Sequence, residues 1–241
     1  MKLVFVRHCE PDYENDSLTE KGFREAGLLA PRIKKLEAQY FYVSPQGRAK
    51  ATAKPAMELI GKEAKECDWL HEFRGRCIRP HDPEINICWD WRPEDMEKEP
   101  LLFDCDRWLD IGAFKGTNVR EQYEYVTSSF DTLLAEHGYE RQGKIYRVVR
   151  ENHDTLVFFC HYAVTCVILS HILNVSPYIL WTGTAMQASS VTMLASEERI
   201  QGKAYFRMLQ YGDISHLYEA GEDPSFMVRF CECYSDNTRH D

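Results

Sequence analysis

The chain has 241 residues, 44% hydrophobic and 12% aromatic, with a formal net charge of −9 and a pI of about 5.5. Such a chain can bury a sizeable core and lies outside the disordered range. Its acidity argues against broad nucleic-acid or anionic-membrane affinity, though a local pair of arginines can still invert the field inside one pocket. The longest apolar runs fall well short of a membrane span. Nine cysteines, an odd number, include Cys160 and Cys166 inside apolar runs, where Cys behaves as a small hydrophobe. Residues 1–8 are too short for a signal peptide, and the expected compartment is reducing and cytoplasmic.

Residues 2–6 are an unbroken apolar run after Lys2, which reads as a buried strand. Arg7 and His8 stand at its end, where open α/β sheets bind ligands. An acidic loop follows, with Glu10, Asp12, Glu14 and Asp16. Thr19 is the expected N-cap of a helix with Glu20 in its first turn. Phe23, Ala26, Leu29 or Ala30, Ile33 and Leu36 follow its spacing, and Pro31 is expected to kink or interrupt it. Residues 40–43 are a second short strand. Ser44-Pro45 reads as N-cap and first residue of a helix carrying Arg48 in its first turn, with Pro55 limiting its regularity. Residues 66–70 are a weaker third strand candidate, followed by His71 and Glu72.

Residues 76–118 change texture, with Trp89, Trp91, Trp108, four prolines, many acids and no sustained period. Long irregular stretches of this kind are usually lids or binding loops, so a partly helical cap over the site is expected, with the tryptophans as its small core. Residues 119–140 return to helical spacing. Residues 155–160 are the most strand-like run and end at His161; Val164, Val167, Ile168, Ile172 and Leu173 then share a helix face. Strand candidates at 189–194, 204–209 and 226–231 follow. Alternating strands and helices predict a layered α/β domain without a second folded unit.

Three strand ends thus supply Arg7 with His8, Ser44 leading to Arg48, and His161. With Glu72, two arginines, two histidines and a carboxylate line one pocket. The planar fork of arginine matches a tetrahedral oxyanion such as phosphate, and a helix start near Arg48 adds donors. A histidine kept neutral between cations is a nucleophile toward phosphorus. A carboxyl group can protonate the leaving alcohol and then deprotonate water.

These residues carry a resemblance. Val6-Arg7-His8-Cys9-Glu10 resembles the Arg-His-Gly signature of the histidine phosphatase (phosphoglycerate mutase-like) superfamily. Leu18-Thr19-Glu20-Lys21-Gly22 is similar to its Leu-Thr-x-x-Gly helix start, and residues 44–53 to its Ser-Pro-x-x-Arg-Ala-x-x-Thr-Ala block. Phe159-Cys160-His161-Tyr162 resembles its second histidine motif. The resemblance implies a three-layer α/β/α sandwich with a mostly parallel central sheet, a single domain over residues 1–241 and an inserted cap. It implies His8 as the phosphorylated nucleophile, and Arg7, Arg48, His8 and His161 as the phosphate pocket. Glu72 lies where the proton donor is expected, with Glu66, Glu84 and Asp82 as alternatives. No metal or organic cofactor is implied. The implied activity is that of a histidine acid phosphatase-type phosphomonoesterase on a small phosphorylated substrate.

The chain departs from the pattern twice. Cys9 and Tyr162 replace the glycines after each histidine, which makes Cys9, Glu10 and Tyr162 candidates for a substrate rim. Cys9 reads either as an oxidisable thiol with a lowered pKa or as packing. The short stretch between His8 and Leu18 disfavours the alternative of a phosphoglycerate mutase-type phosphotransferase, and its acids are expected to repel multiply charged substrates. A catalytically idle member that binds a phosphorylated ligand is the other alternative. Cys231-x-Cys233 reads as buried thiols, since no second pair has metal-ligand spacing. His216 is expected to approach the site from a late loop.

Overall fold

A computed structural model describes residues 1–225 and Ser235. The strand candidate at 226–231 and the Cys231-x-Cys233 pair lie outside the described residues. In chain order the strands are β1 Lys2–Arg7, β2 Pro11–Asp12, β3 Ser17–Leu18, β4 Tyr40–Val43, β5 Lys65–Glu66, β6 Arg76–Ile78, β7 Ile85–Ile87, β8 Tyr139–Gln142, β9 Ile145–Val148, β10 Thr155–Cys160, β11 Val191–Ile200 and β12 Lys203–Asp213. The helices are α1 Glu20–Lys35, α2 Gly47–Ile60, α3 Pro93–Glu97, α4 Val119–Glu136, α5 Tyr162–Leu173, α6 Pro177–Gly183 and α7 Ser215–Ala220.

Eight strands form one mixed sheet in the order β5-β4-β10-β1-β11-β12-β9-β8. The β5-β4-β10-β1 half is parallel, and its central strands β4, β10 and β1 all deliver candidate site residues at their carboxyl ends. From β1 outward to β8 the pairing is antiparallel. Alternation in β1 sends Val4 and Val6 to one face, against Leu29 and Ile33 of α1 and Ala49 and Ala53 of α2. Leu3 and Phe5 point to the other face, into a larger core with α4, α5, α6 and the cap. Helices on both faces make the three-layer α/β/α architecture that the sequence predicts.

Phe158 holds the second face together. It is fully buried and stacks on Phe5 at 4.9 Å and Tyr42 at 5.2 Å between ring centroids, which ties β10 to both neighbours. Phe158→Ala is expected to lower unfolding free energy by about 3–5 kcal/mol in a urea titration.

Several expectations need correction. Only Lys65 and Glu66 pair with β4; Cys67 then turns the chain into a 3-10 turn, Asp68–Leu70, so the third strand is two residues long. The second helix begins at Gly47 with Gln46 as N-cap, not at Pro45; Ser44 Oγ accepts from Gln46 N at 3.3 Å and lies 2.7 Å from His161 Nε2. Thr19 does cap α1, accepting from Gly22 N at 3.0 Å, but the helix runs through Pro31 without interruption, and Phe23 faces solvent. Helix α5 is buried on nearly every side rather than along one face, because α4, α6 and the cap enclose it. Residues 139–148 are a hairpin that period alone did not reveal. The segment 76–118 holds the β6–β7 hairpin, α3 and three 3-10 turns, with Trp91 and Trp108 buried against Phe114, Tyr178 and Trp181.

Candidate active site

The backbone of His8 is fixed on both sides. Its N–H donates to Cys160 O on β10 at 3.0 Å, and its carbonyl accepts from Ser189 N at 3.1 Å. Cys9 N donates to Thr52 Oγ1 of α2 at 2.9 Å. The imidazole is 1% exposed, and its Nδ1 lies 2.8 Å from Cys9 O. A carbonyl only accepts, so Nδ1 carries the proton and Nε2 keeps its lone pair. Burial, then the Arg7 charge and more weakly Arg48, push the His8 pKa down to about 3. The ring is therefore neutral across the physiological range.

His161 lies 5.2 Å from His8 between ring centroids. It is fully buried at the start of α5, with Nε2 2.7 Å from Ser44 Oγ, while its Nδ1 has no partner among the described residues. Burial and then His8 and Arg48 hold its pKa well below the usual value. Arg7 donates to Met186 O, and its guanidinium lies 5.5 Å from the Tyr162 ring centroid. Its Nε is buried and unpartnered among the described residues, and burial pulls its pKa down, so an added anion would be strongly favoured beside it. Arg48, in the first turn of α2, is 8% exposed and its Nε is likewise unpartnered.

Glu72 is half-buried. Its backbone N–H donates to Gln46 Oε1 at 2.8 Å. Its Oε1 accepts from Val164 N at 3.1 Å, in the first turn of α5, and from Phe73 N at 2.9 Å. The carboxylate is thus locked beside the helix that His161 begins, and its charge reaches Arg7. The alternatives lie elsewhere. Glu66 is exposed and pairs with Lys50 at 2.6 Å, and Glu84 is exposed in the cap. Asp82 is held down to about 2, chiefly by its hydrogen bond from Arg79, the wrong direction for an acid.

Of the three rim candidates Cys9 is fully buried, while Glu10 and Tyr162 are half-buried. Cys9 is fully buried with Leu18 and Ala26, and burial raises its thiol pKa well above the usual value, so it packs α1 against β1. The Glu10 carboxylate accepts from Thr19 and Ser225 hydroxyls. The Tyr162 hydroxyl lies within 2.9–3.1 Å of three carbonyls, Leu180, Trp181 and Thr184, while its ring faces Arg7. Of the other acids in this loop, Asp12 closes its own turn onto Glu14 and Asn15, and Asp16 accepts from Gly47 N and Arg48 Nη1.

A protein-family model, Histidine phosphatase superfamily (branch 1), matches residues 3–206. The chain belongs to the histidine phosphatase superfamily. Curated protein sequences give no match. Solved structures of similar fold include a mycobacterial glucosyl-3-phosphoglycerate phosphatase in complex with inorganic phosphate, 17% identical with a TM-score of 0.59, covering 89% of this chain and 98% of that one. A mutant phosphoserine phosphatase from Entamoeba histolytica in complex with phosphoserine is 16% identical with a TM-score of 0.58, covering 90% and 98%. Among the described residues no helix is long and apolar enough to cross a membrane.

Within this superfamily frame, three supporting residues escaped sequence reasoning, Ser189, Gln46 and Asp16. Ser189 holds the His8 carbonyl from a left-handed backbone conformation, φ +59°, and its hydroxyl lies 3.0 Å from His216 Nε2. His216 therefore does approach the site, one residue removed. Gln46 fixes the Glu72 backbone, and Asp16 Oδ1 lies 2.7 Å from Arg48 Nη1. Gln46 stands only at an x position of the Ser-Pro-x-x-Arg block, and polar residues in loops carry no period.

Proposed function

We propose that the chain is a phosphatase that hydrolyses a small phosphomonoester through a phosphohistidine on His8, with no metal or organic cofactor. The observation that carries this reading is the His8 ring. It is neutral, held through Nδ1–H on Cys9 O, and its Nε2 has no partner among the described residues, beside buried Arg48 and half-buried Arg7. Arg7, Arg48 and His161 bind the phosphoryl oxygens and disperse charge in the transition state. His8 Nε2 attacks phosphorus in line, the P–O bond to the alcohol breaks, and Glu72 gives its proton to the leaving oxygen. Water then attacks phosphorus, Glu72 takes a proton from it, the P–N bond breaks, and His8 returns neutral. The superfamily match and phosphatases among the similar folds support the reading. The compartment read from the cysteines is the cytoplasm.

Turnover of p-nitrophenyl phosphate in EDTA tests it. Hydrolysis with an acid-labile phosphoprotein is expected; a folded protein inactive from acid to neutral pH would overturn it. The ring also makes a pH prediction. A pKa near 3 means that His8 loses its lone pair only as pH falls toward that value. Its ring NMR signals are expected to stay in the Nδ1–H form between pH 7 and 4.5. A midpoint near the ordinary histidine value of about 6.5 would contradict the assignment.

A further inference from the structure

We propose that Asp16 is a built-in competitor for the phosphate site, an intramolecular anion that substrate must displace, and that it thereby determines which anions the pocket admits. This rests on the reading of Arg48 as a phosphate-binding residue. Each Asp16 carboxylate oxygen takes one donor: Oδ1 accepts from Arg48 Nη1 at 2.7 Å and Oδ2 from Gly47 N at 2.6 Å. A guanidinium and a backbone N–H at a helix start are the donors a phosphate oxygen would take. The loop is pressed against them, since a Cβ added at Gly47 would lie 2.0 Å from Asp16 O. Tyr13 adds its ring 5.5 Å from the Arg48 guanidinium.

The contact is made to be exchanged. The Asp16 side chain is 50% exposed while that of Arg48 is 9% exposed, so the pair is half in water and weak. Asp16 sits at φ +45°, a left-handed conformation that Asp tolerates but does not prefer. It leaves Arg48 Nε buried and unpartnered, so the arginine keeps unused capacity. A tethered carboxylate acts at high effective concentration, so a free monoanion has no charge advantage over it. A phosphomonoester dianion brings a second charge and three oxygens and can displace it. Asp16 therefore admits dianionic monoesters and excludes monoanions such as phosphodiesters.

Calorimetric binding of inorganic phosphate and of dimethyl phosphate, a monoanion, tests this without turnover, so a protein that fails to hydrolyse substrate still gives an answer. Asp16→Asn keeps an acceptor and tolerates the left-handed backbone; Asp16→Ala removes both bonds. Phosphate is expected to bind about threefold tighter to Asp16→Asn and about tenfold tighter to Asp16→Ala. Dimethyl phosphate should gain more than phosphate, narrowing the preference for the dianion by about tenfold. Thermal midpoints near wild type keep the comparison valid at this exposed position. Phosphate that binds both variants no more tightly than wild type, absent binding to all three included, overturns the proposal. An unchanged preference does so as well. If Asp16 only positions Arg48, phosphate affinity and kcat fall together in Asp16→Ala.

Discussion

His8→Ala is expected to lower turnover of p-nitrophenyl phosphate by at least about 10³-fold, some 4 kcal/mol of barrier, and to abolish the acid-labile phosphoprotein. The size follows from what the ring supplies. Without Nε2 there is no covalent intermediate, and Arg7, Arg48 and His161 can only bind phosphate and stabilise attack by water. The fold should survive. The His8 N–H and C=O bonds to Cys160 and Ser189 are backbone bonds that alanine keeps. The substitution removes one side-chain hydrogen bond to Cys9 O and leaves a small cavity, a cost of a few kcal/mol at most. Phosphate binding is therefore the control: the variant should still bind inorganic phosphate while failing to turn over substrate. Activity within tenfold of wild type, with phosphate bound, would remove His8 from the role of nucleophile.

Glu72→Gln is expected to divide substrates by leaving group. With an alkyl phosphate such as glycerol phosphate, kcat should fall about 10²- to 10⁴-fold, because a basic alkoxide leaves poorly without a proton. With p-nitrophenyl phosphate, whose leaving group departs readily as an anion, the loss in the phosphorylation step should stay within about tenfold, read as the burst of nitrophenolate. The glutamine oxygen can still accept from Val164 N and Phe73 N, so the start of α5 stays capped. This separates chemistry from architecture. If Glu72 served only as a helix cap, the two substrates would lose activity by the same factor.

Much of this was legible in the sequence, for physical reasons that differ from element to element. Strands β1, β4 and β10 are central and buried on both faces, so they read as continuous apolar runs ending in the reactive residues. Thr19 announced α1 through a capping bond that depends only on local chemistry. The two-residue strand β5 and the β8–β9 hairpin were not legible. Their pairing partners are distant in sequence or edge-like, and sequence pattern does not encode them. Cys9 illustrates a different limit. Adjacency to Arg7 and His8 suggested an activated thiol, but successive side chains diverge, and this one points into the packing of α1. Asp16 and Gln46 act through contacts spanning 32 and 26 residues, which no local window contains.

The clamp formed by Tyr162 has a consequence for which contact breaks first. Its hydroxyl meets the carbonyls of Leu180, Trp181 and Thr184, Thr184 also bonds Tyr211, and Arg7 holds Met186 O just beyond. That wall is tied to buried groups at several points. The β2–β3 hairpin is held differently: its Tyr13 is 61% exposed and its hold on Arg48 is half in water. Breaking the hairpin's hold on Arg48 therefore costs less than breaking the Tyr162 clamp, whose hydroxyl is held by three carbonyls.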